Sequence, residues 1–130
     1  MVEGAAQYRL GHDPHSMPGL MACKAAELQR GQAGHWYYFD RVQRAHLTEC
    51  LNIATGEVLE RCAVDVGLDR ERFRRDVPST AVRRAVEADM EVAAGYGVNS
   101  TPTIVVNEKH LLSGAVSYDR LIDFLKPLSL

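Results

Sequence analysis

A proline stands directly in front of the most strand-like run of this chain, in "VNSTPTIVVNEKHLLSGA", residues 98–115. Proline cannot donate a ladder hydrogen bond, and within sheets it is confined to edges, bulges or the first residue of a strand. Pro102 therefore fixes where the run Thr103 to Asn107 begins. The turn "NEK" sends the chain straight back into a second run, His110 to Ser113. The feature demands a short hairpin with a proline at its mouth, and something other than sheet stability keeps the proline there.

Nearly everything else reads as helix. Ser16 is placed to cap a helix reaching Arg30, with Pro18 in the tolerated first turn. Leu20, Met21 and Leu28 supply its apolar positions, and Ala22, Ala25 and Ala26 allow close packing. "GQAG" interrupts the pattern, and a second helix is expected from His35 to Cys50 with Trp36, Phe39, Val42 and Leu47 turned inward. Thr55 starts a helix in which Val58, Leu59, Cys62, Ala63 and Val66 follow a 3.6-residue period, closed by Gly67. Asp69 caps a short helix ending before Pro78. Ser79 or Thr80 starts a longer one, with Val82, Val86, Met90 and Ala93 on one stripe and Gly95 or Gly97 at its end. After the hairpin, Ser117 caps a last helix that buries Tyr118, Leu121, Ile122 and Leu125 and stops at Lys126–Pro127. With a short strand at Tyr8 to Leu10, the order is strand, helices, hairpin, helix: an α/β framework with a helical block inserted.

A chain of 130 residues suits one domain, and 46% hydrophobic with 25% charged residues is ordinary for a globular protein. A net charge of -2 gives no pull toward nucleic acid or anionic membrane. No apolar run approaches the roughly 20 residues that span a bilayer, and the start "MVEGAAQYRLGHD" lacks a signal peptide's apolar centre, so a cytoplasmic product is expected. Cys23, Cys50 and Cys62 form no C-x-x-C pair and no zinc-ligand spacing, and all three read as small buried hydrophobes on helices. His12, Asp13 and His15 make a solvated turn rather than a metal site. Arg70, Arg72, Arg74, Arg75, Arg83 and Arg84 interleave with Asp65, Asp69, Glu71 and Asp76, the pattern of salt-bridged helix faces. No metal or cofactor is expected.

The closing stretch "AAGYGVNSTPTIVVNEKHLLSGAVSYDRLIDFL" resembles the second half of the thioredoxin fold, and more narrowly the DsbA family and its FrnE-like branch. "CAVDVGLDRERFRRDV" is similar to that family's helical insertion, where a helix ends in Gly-Leu-Asp, and the resemblance runs over residues 16 to 126. It implies a thioredoxin-like, DsbA-type partial fold. Residues 1–15 would carry a short strand and turn, 16–78 the helical insertion, and 79–130 the helix, cis-proline loop, hairpin and final helix.

The resemblance also implies a function. The peptide bond before Pro102 is expected to be cis, and Ser100, Thr101 and Pro102 would bind substrate, Thr101 offering its backbone N–H and C=O to an extended peptide. The family's catalytic C-x-x-C, at the N-terminus of a helix after the first central strand, has no counterpart in this chain, and only "YRL" precedes the insertion. The reading is a thiol–disulfide oxidoreductase lineage whose partner is a thiol- or disulfide-containing peptide or protein, this chain being non-catalytic alone. The alternatives are a peptide-binding module without chemistry and a glutathione-dependent isomerase of the 2-hydroxychromene-2-carboxylate type. A homo-oligomer is expected, formed through the exposed edge of the strand from Thr103, where Ile104, Val105 and Val106 would present unpaired backbone groups.

Overall fold

The computed structural model describes residues 16–128. The expected strand at Tyr8 to Leu10 and the His12–Asp13–His15 turn lie outside the described residues. The chain runs α1 (Met17–Leu47), α2 (Gly56–Asp65), α3 (Arg70–Asp76), α4 (Thr80–Gly95), β1 (Thr103–Val106), β2 (His110–Ser113) and α5 (Tyr118–Leu125), then one 3₁₀ turn (Lys126–Leu128). Two compact units divide between Asp89 and Met90.

In the first unit the two expected helices are one interrupted element. Arg30 and Gly31 depart from helical geometry inside α1, with Gly31 at φ 64° and ψ -154°. That combination is open to glycine and essentially closed to other residues. The break lets the two segments press together: a Cβ on Gly34 would lie 2.9 Å from the Ala26 carbonyl oxygen. It also resets the phase of the second segment. Gly34, Tyr38, Val42 and Ala45 become the buried line, while Trp36, Phe39 and Leu47 face outward, contrary to expectation. Of the four consecutive aromatic residues only Tyr38 is buried, and its hydroxyl can be buried because it donates to the Leu59 carbonyl at 2.9 Å. The ring also packs beside Phe73.

The break is tied to the α2–α3 connection by polar bonds. The Arg30 guanidinium donates to the carbonyls of Val66 and Gly67, where α2 ends and its last carbonyls lack helical partners. The Gln29 amide exchanges two bonds with the Asp69 backbone, at 2.8 and 3.1 Å, and Arg72 donates to the Leu28 carbonyl. The caps lie where the sequence put them: Thr55 accepts from the Val58 N–H, Asp69 from Arg72, Ser79 from Val82 and Ser117 from Arg120. Such a cap contributes about 1 kcal/mol. Ser16 occupies the cap position of α1 without a side-chain cap bond.

Charge pairing follows the interleaving. Glu60 meets both Arg70 and Arg74, whose guanidiniums hold its carboxyl below the usual range, and Arg41 spans Glu49 and Asp65. Arg72 and Arg75 pair with Asp76, whereas Arg83 and Arg84 have no ion pair among the described residues.

The second unit begins at the tail of α4. Val98 donates its N–H to Ala93 across Gly97, a left-handed glycine at φ 79°, so Gly97 rather than Gly95 ends the helix. β1 and β2 pair antiparallel, Thr103 opposite Ser113 and Val106 opposite His110. Asn107 and Glu108 take φ of 53° and 61°, the positive values a type I′ turn requires, and Lys109 donates to the Val106 carbonyl to close it. In α5, Leu121, Ile122, Phe124 and Leu125 are half-buried; Tyr118, expected inside, is exposed.

Candidate functional site

Ser100, Thr101 and Pro102 form the exposed loop that enters β1, and the Thr101–Pro102 bond is cis. Two bonds shape this entry. The Thr103 hydroxyl donates to the Ser100 carbonyl at 2.6 Å, and the Gly114 N–H donates to the Pro102 carbonyl at 2.7 Å. The second bond extends the hairpin past Thr103 to the proline.

It also settles which backbone groups face outward. In an antiparallel pair, directly opposed residues alternate between exchanging hydrogen bonds and leaving their N–H and C=O pointed away from the partner. Pro102 is bonded to Gly114, so Ile104 and Val106 bond to Leu112 and His110 in the same register. Thr103 and Val105 are then the residues whose backbone groups point to the open edge. The expected edge set of Ile104, Val105 and Val106 is corrected to Thr103 and Val105, because pairing with β2 uses the even-numbered residues. Ile104 still offers an exposed side chain at 40% of its surface. Only β1 and β2 make up the sheet among the described residues, so the far edge of β1 is unpaired there. A five-residue line, Ser100 to Ile104, is thus accessible, and the outward N–H and C=O groups continue from it to Val105.

The cysteines divide in a way the sequence did not indicate. Cys23 and Cys62 are buried, and burial pushes the Cys23 thiol up to about 11 with a further contribution from nearby Glu27. Burial likewise raises the Cys62 thiol. Neither is a thiolate at neutral pH, so neither is a nucleophile there. Cys50 is exposed, beyond the end of α1 rather than on it, with φ 56°. Leu51 donates back to Ala45 across it, so Cys50 holds a left-handed conformation two residues past the helix cap at Thr48. No disulfide joins the three. No cluster of three or more metal-binding side chains occurs among the described residues, and no described helix is long and apolar enough to cross a membrane.

Sequence reasoning found the loop and missed the alternation along β1. The signal was present in the turn, since a three-residue loop between Val106 and His110 fixes the register.

Residues 10–119 match the family described as Thioredoxin. The chain is 36% identical over 114 residues to the Na(+)/H(+) antiporter NhaA of Herminiimonas arsenicoxydans, a match covering 87% of this chain and 17% of that protein. It is 33% identical over 114 residues to the ClpXP adapter protein SpxH of Bacillus subtilis, covering 82% of this chain and 38% of that one. The crystal structure of a "putative protein disulfide isomerase" from Nitrosomonas europaea shares its fold with a TM-score of 0.68 at 20% identity, over 85% of this chain and 55% of the other. The chain spans less than two fifths of the length of these curated relatives.

Proposed function

The chain belongs to the thioredoxin family, and from that premise we propose that it is the peptide-holding part of a DsbA-type, FrnE-like thiol–disulfide oxidoreductase lineage, without exchange chemistry of its own. The observation that carries the proposal is the edge of β1. Thr103 and Val105 turn outward N–H and C=O groups that are unpaired among the described residues, directly after the exposed Ser100–Thr101–Pro102 loop. An extended peptide laid along such an edge gains main-chain hydrogen bonds whatever its sequence, and neighbouring side chains add selectivity. Ser100, Thr101 and Pro102 bind its first residues, and Thr103 and Val105 continue the ladder.

The chemistry is a different matter. Thiol–disulfide exchange needs an attacking thiolate and a resolving thiol beside it. Cys23 and Cys62 are buried with raised thiols, and Cys50 has no vicinal cysteine in the sequence. An insulin-reduction assay with dithiothreitol should therefore run at the uncatalysed rate.

Binding is tested by titrating the ¹⁵N-labelled chain with an extended cysteine-containing peptide. Amide shifts should concentrate at Thr101, Thr103 and Val105 and vanish in Val105→Pro, which removes an outward donor. Shifts spread over the helical unit, or unchanged by Val105→Pro, would overturn the reading. The likeness to proteins described as ClpXP adapters favours a second reading, a protein-binding module with no place in redox chemistry. It predicts the same edge binding with no preference between a cysteine peptide and its serine counterpart.

A further inference from the structure

The second segment of α1 is apolar on two opposite sides. Its buried line runs through Gly34, Tyr38, Val42 and Ala45. With about 100° between successive residues, Trp36 and Leu47 fall diametrically opposite that line, and Tyr37 lies on one flank of the outer side, next to Arg44. Trp36 is 60%, Tyr37 70% and Leu47 71% exposed. An apolar outer face on a surface helix marks an interaction site rather than ordinary surface.

The charges between these residues identify the occupant. Asp40 and Arg44 lie on the same outer side and pair with each other at 3.0 Å. Residues Tyr37, Asp40, Arg44 and Leu47 are arranged symmetrically about position 42, with an acid on one side and a base on the other. Two such helices placed antiparallel about a two-fold axis at that position bring Asp40 of each copy against Arg44 of the other. The same operation brings Tyr37 level with Leu47 of the other copy, and Trp36 level with the far end of its helix. A parallel arrangement would instead oppose like charges. The pattern is self-complementary, which is what a two-fold interface requires.

We propose that this face of α1 is an antiparallel homodimer contact, its outer aromatic and leucine residues closed around an alternating Asp40–Arg44 quartet. The seat differs from the strand edge first expected to carry self-association. One helix face buries less than a standard interface of about 800 Å² per partner, so the dimer is weak and concentration-dependent.

Sedimentation velocity of the full chain from about 10 µM to about 1 mM tests it, the range in which weak interfaces are populated. The wild-type chain should shift toward dimer as concentration rises. Asp40→Arg alone should abolish the shift by opposing two arginines, and Arg44→Asp alone should abolish it by opposing two aspartates. An equimolar mixture of the two variants should restore it, because every facing pair is again opposite in sign. All these positions are exposed, so far-UV circular dichroism should be unchanged. A monomer at every concentration would overturn the proposal. So would a dimer that survives both single variants, one that the mixture fails to restore, or one lost in Val105→Pro at the β1 edge.

Discussion

The Tyr38 hydroxyl donates to the Leu59 carbonyl at 2.9 Å, joining the second segment of α1 to the middle of α2 inside the helical unit. Both side chains are almost fully buried, so the bond is made where water cannot replace it. Tyr38→Phe keeps the ring and loses the bond, and should cost about 1 kcal/mol. Tyr38→Ala should cost about 3–5 kcal/mol by leaving a cavity beside Phe73 and Leu59. Urea unfolding read by circular dichroism measures both; equal costs would mean that the bond, not the ring, holds the segments.

The break in α1 depends on two glycines for different reasons. Gly31 needs a backbone conformation closed to other residues, with nothing within 4 Å of an added Cβ. Gly34 has ordinary helical neighbours, but a Cβ there would meet Arg30 and the Ala26 carbonyl. Gly31→Ala should cost about 1–3 kcal/mol through backbone strain. Gly34→Ala should cost a similar amount, about 1–3 kcal/mol, through overpacking. Arg30→Gly, which removes the Cβ that the added methyl would meet at 2.6 Å, should relieve part of the second cost and none of the first, whereas Arg30→Ala should relieve neither, which a double-mutant cycle resolves.

The hairpin turn carries its own improvable position. Asn107 tolerates a positive φ, but Glu108 adopts 61° with a full side chain. A left-handed conformation costs a non-glycine residue about 1–2 kcal/mol. Glu108→Gly should therefore stabilise the second unit by up to about 1 kcal/mol, seen as slower amide exchange at Ile104 and Val106. Slower exchange at Thr103 and Val105 instead would mean that the ladder register is displaced by one residue.

The thiols give the pH dependence. Burial raises the Cys23 thiol from its ordinary 9.0 to about 11 in the folded chain. The folded state thus holds that proton more tightly, a contribution fully present below pH 9 and lost as pH rises through 11. Stability measured in urea should decline above pH 9, and Cys23→Ala should flatten part of that decline, the rest belonging to Cys62, the buried Tyr38 hydroxyl and Lys24, which shift the same way. At pH 8 a thiol reagent should label Cys50 at once and the two buried cysteines only on unfolding.

Local chemistry alone determined much of this protein. Thr55, Asp69, Ser79 and Ser117 start helices because a short polar side chain can accept from a helix N–H two or three residues on, whatever surrounds it. Gly67 and Gly97 end them because only the left-handed conformation closes those carbonyls. Pro102 set the mouth of the hairpin because it has no donor to give. Each of these depends on a few neighbouring residues, so each is readable from the chain. What tertiary structure decided is which side of an element faces in. Trp36, Phe39 and Leu47 are as apolar as Tyr38, and only the break at Arg30–Gly31, held by Arg30 and Gln29 reaching residues about 40 positions away, rotates Tyr38 inward and leaves the others outside. Cys50 reads as a buried helical residue until the end of α1 puts it in the open, and the backbone groups of Thr103 and Val105 face the open edge only because β2 pairs with the residues between them. Composition assigns no side to a helix or a strand; the partner across the contact does.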